Sequence, residues 1–183
     1  MTYARVWIGV FVMLVVGLIH TPVSANNQKL LDDLARSPTV RAAQPIIDAL
    51  WREWINAHQS EYEKTLMTRG MAAMGQGRLE EAENIFGDIV QKNPKFVEAW
   101  NKRATVRFML WKFEESRADV LEVLNREPRH FGALSGLGLI YLRLGDIDNA
   151  IEAYQDLQRV FPASPAAERY IPMLKNKLGL KDL

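Results

Sequence analysis

The chain has no cysteine among its 183 residues. That absence excludes a disulfide framework, a thiolate metal site and a cysteine nucleophile. Histidine is nearly as scarce: His20, His58 and His130 are the only three, and no two have ligand spacing, so neither zinc nor any other cofactor is expected. An excess of one charge is missing too. With 23 basic against 22 acidic residues, and no Lys/Arg cluster able to neutralise a run of phosphates, a nucleic-acid partner is not expected. The period-two alternation of a half-buried strand is absent, so the chain reads as all-α. What is present, 48% hydrophobic and 25% charged residues, is enough for one globular domain plus a short extra segment.

The extra segment is at the start. Arg5 is the only charge before an apolar run from Val6 to Ile19, followed by a polar stretch and Val23-Ser24-Ala25. Positive start, apolar core and small-x-small site together predict a secretory signal peptide over residues 1–25, cut after Ala25. The apolar core has 14 residues, short of the ~20 that span a bilayer, which favours cleavage over an uncleaved anchor. The expected location is the periplasm, with secretion or anchoring as alternatives. Cleavage removes Arg5 and leaves 22 basic and 22 acidic residues, so no long-range field steers a charged partner.

Pro94, Pro128 and Pro162 stand 34 residues apart, a period typical of helical repeat arrays. Aligned on them, three blocks span 63–96, 97–130 and 131–164. Position eight holds Gly70, Ala104 and Gly138; position twenty holds Ala82, Ser116 and Ala150; position twenty-four holds Phe86, Val120 and Tyr154. Small residues let two helices approach, and large ones fill the seam between them. Gly77 and Gly145 supply the positive φ of the turn inside the first and third blocks. The middle block has Trp111 there, which implies either a different turn or an exposed aromatic contact.

A helical hairpin cannot bury its apolar face alone, so the array needs covers. Upstream, Gln28 to Arg36 reads as a short helix and Thr39 to His58 as a second, with Ile46, Ile47, Leu50, Trp51, Trp54 and Ile55 on one face and Pro45 placed to bend it. Residues 26–62 form the expected N-terminal cap. Downstream, Ser164-Pro165 opens a capping helix in 165–183 that runs to Leu178, with Gly179 beyond its end and Pro172 inside it.

On these in-phase blocks, the stretch from Leu66 to Pro162 resembles the tetratricopeptide repeat (TPR) family. More narrowly, NPKFVEAWNKRATVRFML and EPRHFGALSGLGLIYLRLGD look like short exported bacterial TPR proteins. The resemblance implies a right-handed α-solenoid whose first helices line a concave groove for a peptide or helix of another protein. The Lys/Asn clamp by which some members hold acidic tails is missing: Met67 and Met71, then Gly132 and Gly136, occupy its positions. Projected onto this chain, the groove positions are Lys64, Met67, Met71 and Met74, then Glu98, Asn101, Thr105 and Phe108, then Gly132, Ser135, Leu139 and Leu142. Met67, Met71 and Met74 share one helical face, where thioethers make an adaptable apolar surface. The expected site is a mainly apolar groove with Asn101, Lys102 and Arg143 as polar rim. The alternative is a groove closed by the chain's own terminal helices in a self-associating structural protein.

Catalysis is not expected. In Gly132-Ala133-Leu134-Ser135-Gly136 the serine is one place off the Gly-x-Ser-x-Gly elbow and lies mid-helix. Gly132, Gly136 and Gly138 read as close helix contacts. Glu80-Glu81 and Glu114-Glu115 open helices, where they complement the helix dipole. Arg69 and Arg103 share position seven and read as architectural, with Asp119 as an ion-pair partner across the hairpin.

Overall fold

The computed structural model describes residues 25–57 and 60–179. The expected signal peptide lies outside the described residues except for Ala25, and His58 lies outside them as well. Among the described residues there are nine helices and no strand. They are α1 (Ala25–Ala35), α2 (Val40–Asn56), α3 (Glu61–Gly75), α4 (Leu79–Lys92), α5 (Val97–Met109), α6 (Phe113–Arg126), α7 (Phe131–Leu144), α8 (Ile147–Val160) and α9 (Pro165–Lys177). The pairs α3/α4, α5/α6 and α7/α8 are the three hairpins, and each also packs on the next.

The sequence period reappears in the helix ends. α4, α6 and α8 have 14 residues each and stop at Asn93, Glu127 and Phe161. Each of these precedes one of the 34-spaced prolines, which cannot extend the hydrogen-bond ladder. α3 starts on a capping box in which Ser60 and Glu63 satisfy each other's backbone N–H groups. Ser164 caps α9, Pro165 fills its first turn, and Gly179 follows its end with φ 72°.

The three hairpin turns share one geometry. In each, an N–H reaches back five residues, Arg78 to Ala73, Lys112 to Arg107 and Asp146 to Tyr141, all at 2.9 Å. Such a turn puts the residue before the donor in left-handed space. Gly77 and Gly145 take φ 74° and 79°, and Trp111 takes 62°. The middle turn is therefore not different; a tryptophan has been placed where glycine fits, with its side chain 72% exposed. A left-handed L-residue costs ~1–2 kcal/mol. Trp111→Gly is expected to raise stability by ~1 kcal/mol after loss of the ring's edge contact with Phe113, 5.7 Å away. A lower urea midpoint for the variant would mean that the ring's contacts outweigh its backbone strain.

Within hairpins, residue sizes compensate across the seam. A Cβ on Gly70 would fall 2.6 Å from the Phe86 ring, and one on Gly138 2.6 Å from the Tyr154 ring. The middle hairpin pairs Ala104 with Val120, and Ser116 Oγ donates to the Ala104 carbonyl at 2.7 Å. Arg103 holds Asp119 with two bonds of 2.9 and 2.7 Å, as its position implied. Arg107 adds a third bond to Asp119 and ties it to Glu83 of α4, which also accepts from Lys112. Arg69 differs: it is exposed and forms no ion pair among the described residues, because the acid available at Asp119 lies one hairpin away.

The N-terminal helices do not stack on α3 as a further layer. α1 packs on α2 and α8, and α2 on α5 and the start of α7. Leu31, Leu34, Leu50 and Trp54 thereby join one core with Phe131, Tyr154 and Leu174. Arg129 pairs with Asp32 at 2.7 Å and fastens α1 to the α6–α7 link. Helix α9 covers the C-terminal end of the array by packing on α8, and its Tyr170 ring stacks on Tyr154 at 4.8 Å.

Candidate functional site

The first helices of the hairpins, α3, α5 and α7, line the inner face of the array, and the two halves of that face differ. At the N-terminal ends of α5 and α7 the face is filled by α2. The Trp51 ring sits where a Cβ on Gly132 would be, 2.6 Å away, so Gly132 is a seat for an aromatic ring. Trp54, 3% exposed, stacks on the His130 ring at 3.9 Å and directs its indole N–H at Glu127, 3.4 Å away.

His130 is the N-cap of α7. Its Nδ1 accepts from the Ala133 amide at 3.1 Å, so that nitrogen carries no proton and Nε2–H faces Glu98 at 3.2 Å. Glu98 is fully buried and also accepts from Asn101 Nδ2 and Lys102 Nζ. Burial raises its carboxyl, but its interactions with His130, and after them those with Lys102, outweigh it and hold the group below the ordinary range. Glu127 has weaker partners, and burial pushes it up despite the Trp54 bond. Lys102 then lies over the Trp51 ring at 5.0 Å, closing the cluster.

This arrangement corrects the expected rim. Asn101 and Lys102 are committed to Glu98, since a buried carboxylate draws in every nearby donor. Met67, Met71 and Met74 also leave the groove: Met67 is 1% exposed in the core of the first hairpin, and Met71 and Met74 pack half-buried against it. Their common face is the one that meets α4 and α5. Leu142 packs half-buried towards the α8 side.

Beyond α2 the inner face stays open. Thr105 and Phe108 of α5 face Ser135, Gly136 and Leu139 of α7 across a cleft of ≈ 230 Å³, with Asn101 and Gly132 at its closed end. Among its lining residues none is ionisable, so it offers no general acid or base. Gly136 is not a close helix contact as expected, because a Cβ there would meet nothing within 4 Å. Gly136→Ala is expected to add ~0.5–1 kcal/mol of stability through helix propensity while narrowing the cleft, read by thermal melting. No gain would indicate a helix strained in ways the backbone does not reveal.

At the open end Arg143 is exposed, with its guanidinium 6.0 Å from the Phe108 ring and 5.7 Å from that of Trp111. Among the described residues no helix is long and apolar enough to cross a membrane.

Comparison with known proteins places this geometry. The tetratricopeptide repeat family model matches residues 67–111 and 110–168. A TPR repeat-containing protein of Rhizobium etli is 31% identical over 151 residues, covering 82% of this chain and 74% of its own. Two solved structures align with TM-scores of 0.63. The first TPR of Spaghetti (RPAP3), bound to an HSP90 peptide, is 20% identical and covers 66% of this chain and 96% of its own. MamA is 21% identical and covers 76% and 83%. At these identities the likeness concerns the fold alone, a right-handed solenoid of helical hairpins.

Proposed function

Because this chain belongs to the tetratricopeptide repeat family, we propose that it is a non-catalytic adaptor or scaffold that docks a peptide or helix of another protein on its inner face. The observation that carries this reading is the open cleft between α5 and α7, mainly apolar and without an ionisable side chain. Such a surface gains affinity by burying an apolar anchor, with few polar groups to orient it. The peptide held by the TPR of Spaghetti (RPAP3) supports a protein partner here. The setting proposed is the cell envelope, reached by export through the signal peptide expected at residues 1–25.

Self-association is the second reading, favoured by one feature: α2 already occupies the end of the groove at Gly132. Photocrosslinking in the native host separates the two, with a photoreactive residue at Thr105 and a control at the exposed Leu121. One heterologous protein captured from Thr105 and not from Leu121 is the expected result. Links only to other copies of the chain, with a concentration-dependent size in solution, would replace the adaptor by a self-assembling protein.

A further inference from the structure

Resting on the reading of the cleft as a docking site, we propose that its open end recognises a short segment of another protein in which a carboxylate adjoins an apolar side chain. The apolar side chain enters between Phe108 and Leu139, beside Trp111, and the carboxylate meets Arg143.

Charge carries the first step. Of the cations that the repeat positions put in or beside the groove, Lys64 is paired with Glu61 and Lys102 with Glu98. Arg143, in the last turn of α7, has no carboxylate within ion-pair distance among the described residues. Its guanidinium rests on two aromatic rings, which holds the plane in place while leaving its N–H edges available for a planar acceptor. A carboxylate is the acceptor that such a fork fits in two-point fashion.

Trp111 carries the second. Among the described residues it is the most exposed of the large apolar side chains, and it sits in a left-handed turn that the neighbouring hairpins fill with glycine. Neither burial nor backbone preference accounts for a tryptophan there. A ring placed against Arg143, whose guanidinium also lies over Phe108, extends the cleft wall outward. Because α2 seals the cleft at Gly132, a segment seated in it runs out over this ring.

The test uses protein purified from its own host and short fluorescent synthetic peptides, otherwise polar, with one Leu or Phe flanked by Asp, Asn or Lys. The Asp peptides are expected to bind about tenfold tighter than their Asn counterparts, as a charge-assisted pair with the exposed Arg143 implies. Arg143→Gln is expected to erase that preference and Arg143→Glu to shift it to Lys. Trp111→Gly is expected to weaken all the peptides while raising stability, so its effect does not come from unfolding. Equal binding of Asp and Asn peptides, a preference that survives Arg143→Gln, or no binding by any peptide overturns the proposal. If Thr105 still crosslinks a single partner in that case, the docking reading stands and the acidic-anchor reading alone falls.

Discussion

Glu98→Ala is expected to cost ~3–5 kcal/mol of folding stability, the loss that follows when one member of a buried charged cluster is removed and the others are stranded. Three donors converge on this carboxylate: the His130 ring, the Asn101 amide and the Lys102 ammonium. His130 cannot turn elsewhere, because its other nitrogen caps α7 and Trp54 lies flat against its face. The damage therefore spreads to the seat of α2 and, through it, to the closed end of the cleft. Removing both charges in Glu98→Met with Lys102→Met is expected to cost less than the sum of the single changes, since no ammonium is then left unpaired. Urea denaturation measures each of these variants, and a loss below about 1 kcal/mol for Glu98→Ala would show the cluster to be incidental to the fold.

The same residue sets an acid limit. Its folded pKa is depressed, so its stabilisation is present above the ordinary glutamate range and is lost as pH falls through the lower folded value. Glu63 and Glu83 are lowered too and contribute the same sign. Glu127 is raised, so its contribution is present at low pH and is lost as pH rises through its folded value. The pH profile of the urea midpoint is therefore expected to fall below the ordinary glutamate range, with a shallower fall in Glu98→Gln.

Much of this architecture was legible in the chain because it is local or periodic. Pro94, Pro128 and Pro162 mark the ends of α4, α6 and α8, Ser164-Pro165 marks the start of α9, and Arg103 with Asp119 follows from repeat position alone. The candidate cleft was legible in part. Thr105, Phe108, Ser135 and Leu139 come together across one cleft, whereas Met67 is in the core and Asn101 is bound to a buried carboxylate. What separated them was α2, whose docking depends on Trp51 meeting Gly132 across 81 residues of chain, a contact no repeat period encodes. A glycine at an inner-face position, a histidine at a helix N-cap and two tryptophans on one helical face were the available signals, and they acquire meaning only when paired. Of the two readings of Trp111, the different turn fails and the exposed aromatic contact holds: its turn is imposed by the hairpin on either side, and tertiary packing overrides the residue's own backbone preference.

Gly138→Ala and Tyr154→Val are each expected to destabilise the protein, and together to do so by less than their sum. The added methyl of Gly138→Ala would lie 2.6 Å from a ring enclosed on all sides. Overpacking of this kind costs ~1–3 kcal/mol, set against a gain of ~1 kcal/mol in helix propensity. Tyr154→Val leaves a cavity at a fully buried position, a loss of ~3 kcal/mol. The double change recreates the Ala104 and Val120 pairing with which the middle hairpin closes the same seam, and a coupling of ~1–3 kcal/mol in the double-mutant cycle is expected. It does not restore the wild-type value, because valine cannot stack on Tyr170 as Tyr154 does at 4.8 Å. Loss of the hydroxyl contributes little, since it is buried without a partner among the described residues; Tyr154→Phe, which copies Phe86 of the first hairpin, is accordingly expected to be neutral or stabilising. Strict additivity of the two changes would mean that residue size at these positions does not govern how closely the helices approach. The spacing bears on function through α7, which carries Gly138 on the face towards α8 and Ser135 and Leu139 on the face towards the cleft. A seam that opens on one side of α7 narrows the cleft on the other, so the same variants are expected to lower crosslinking from Thr105 in proportion to their uncoupled strain.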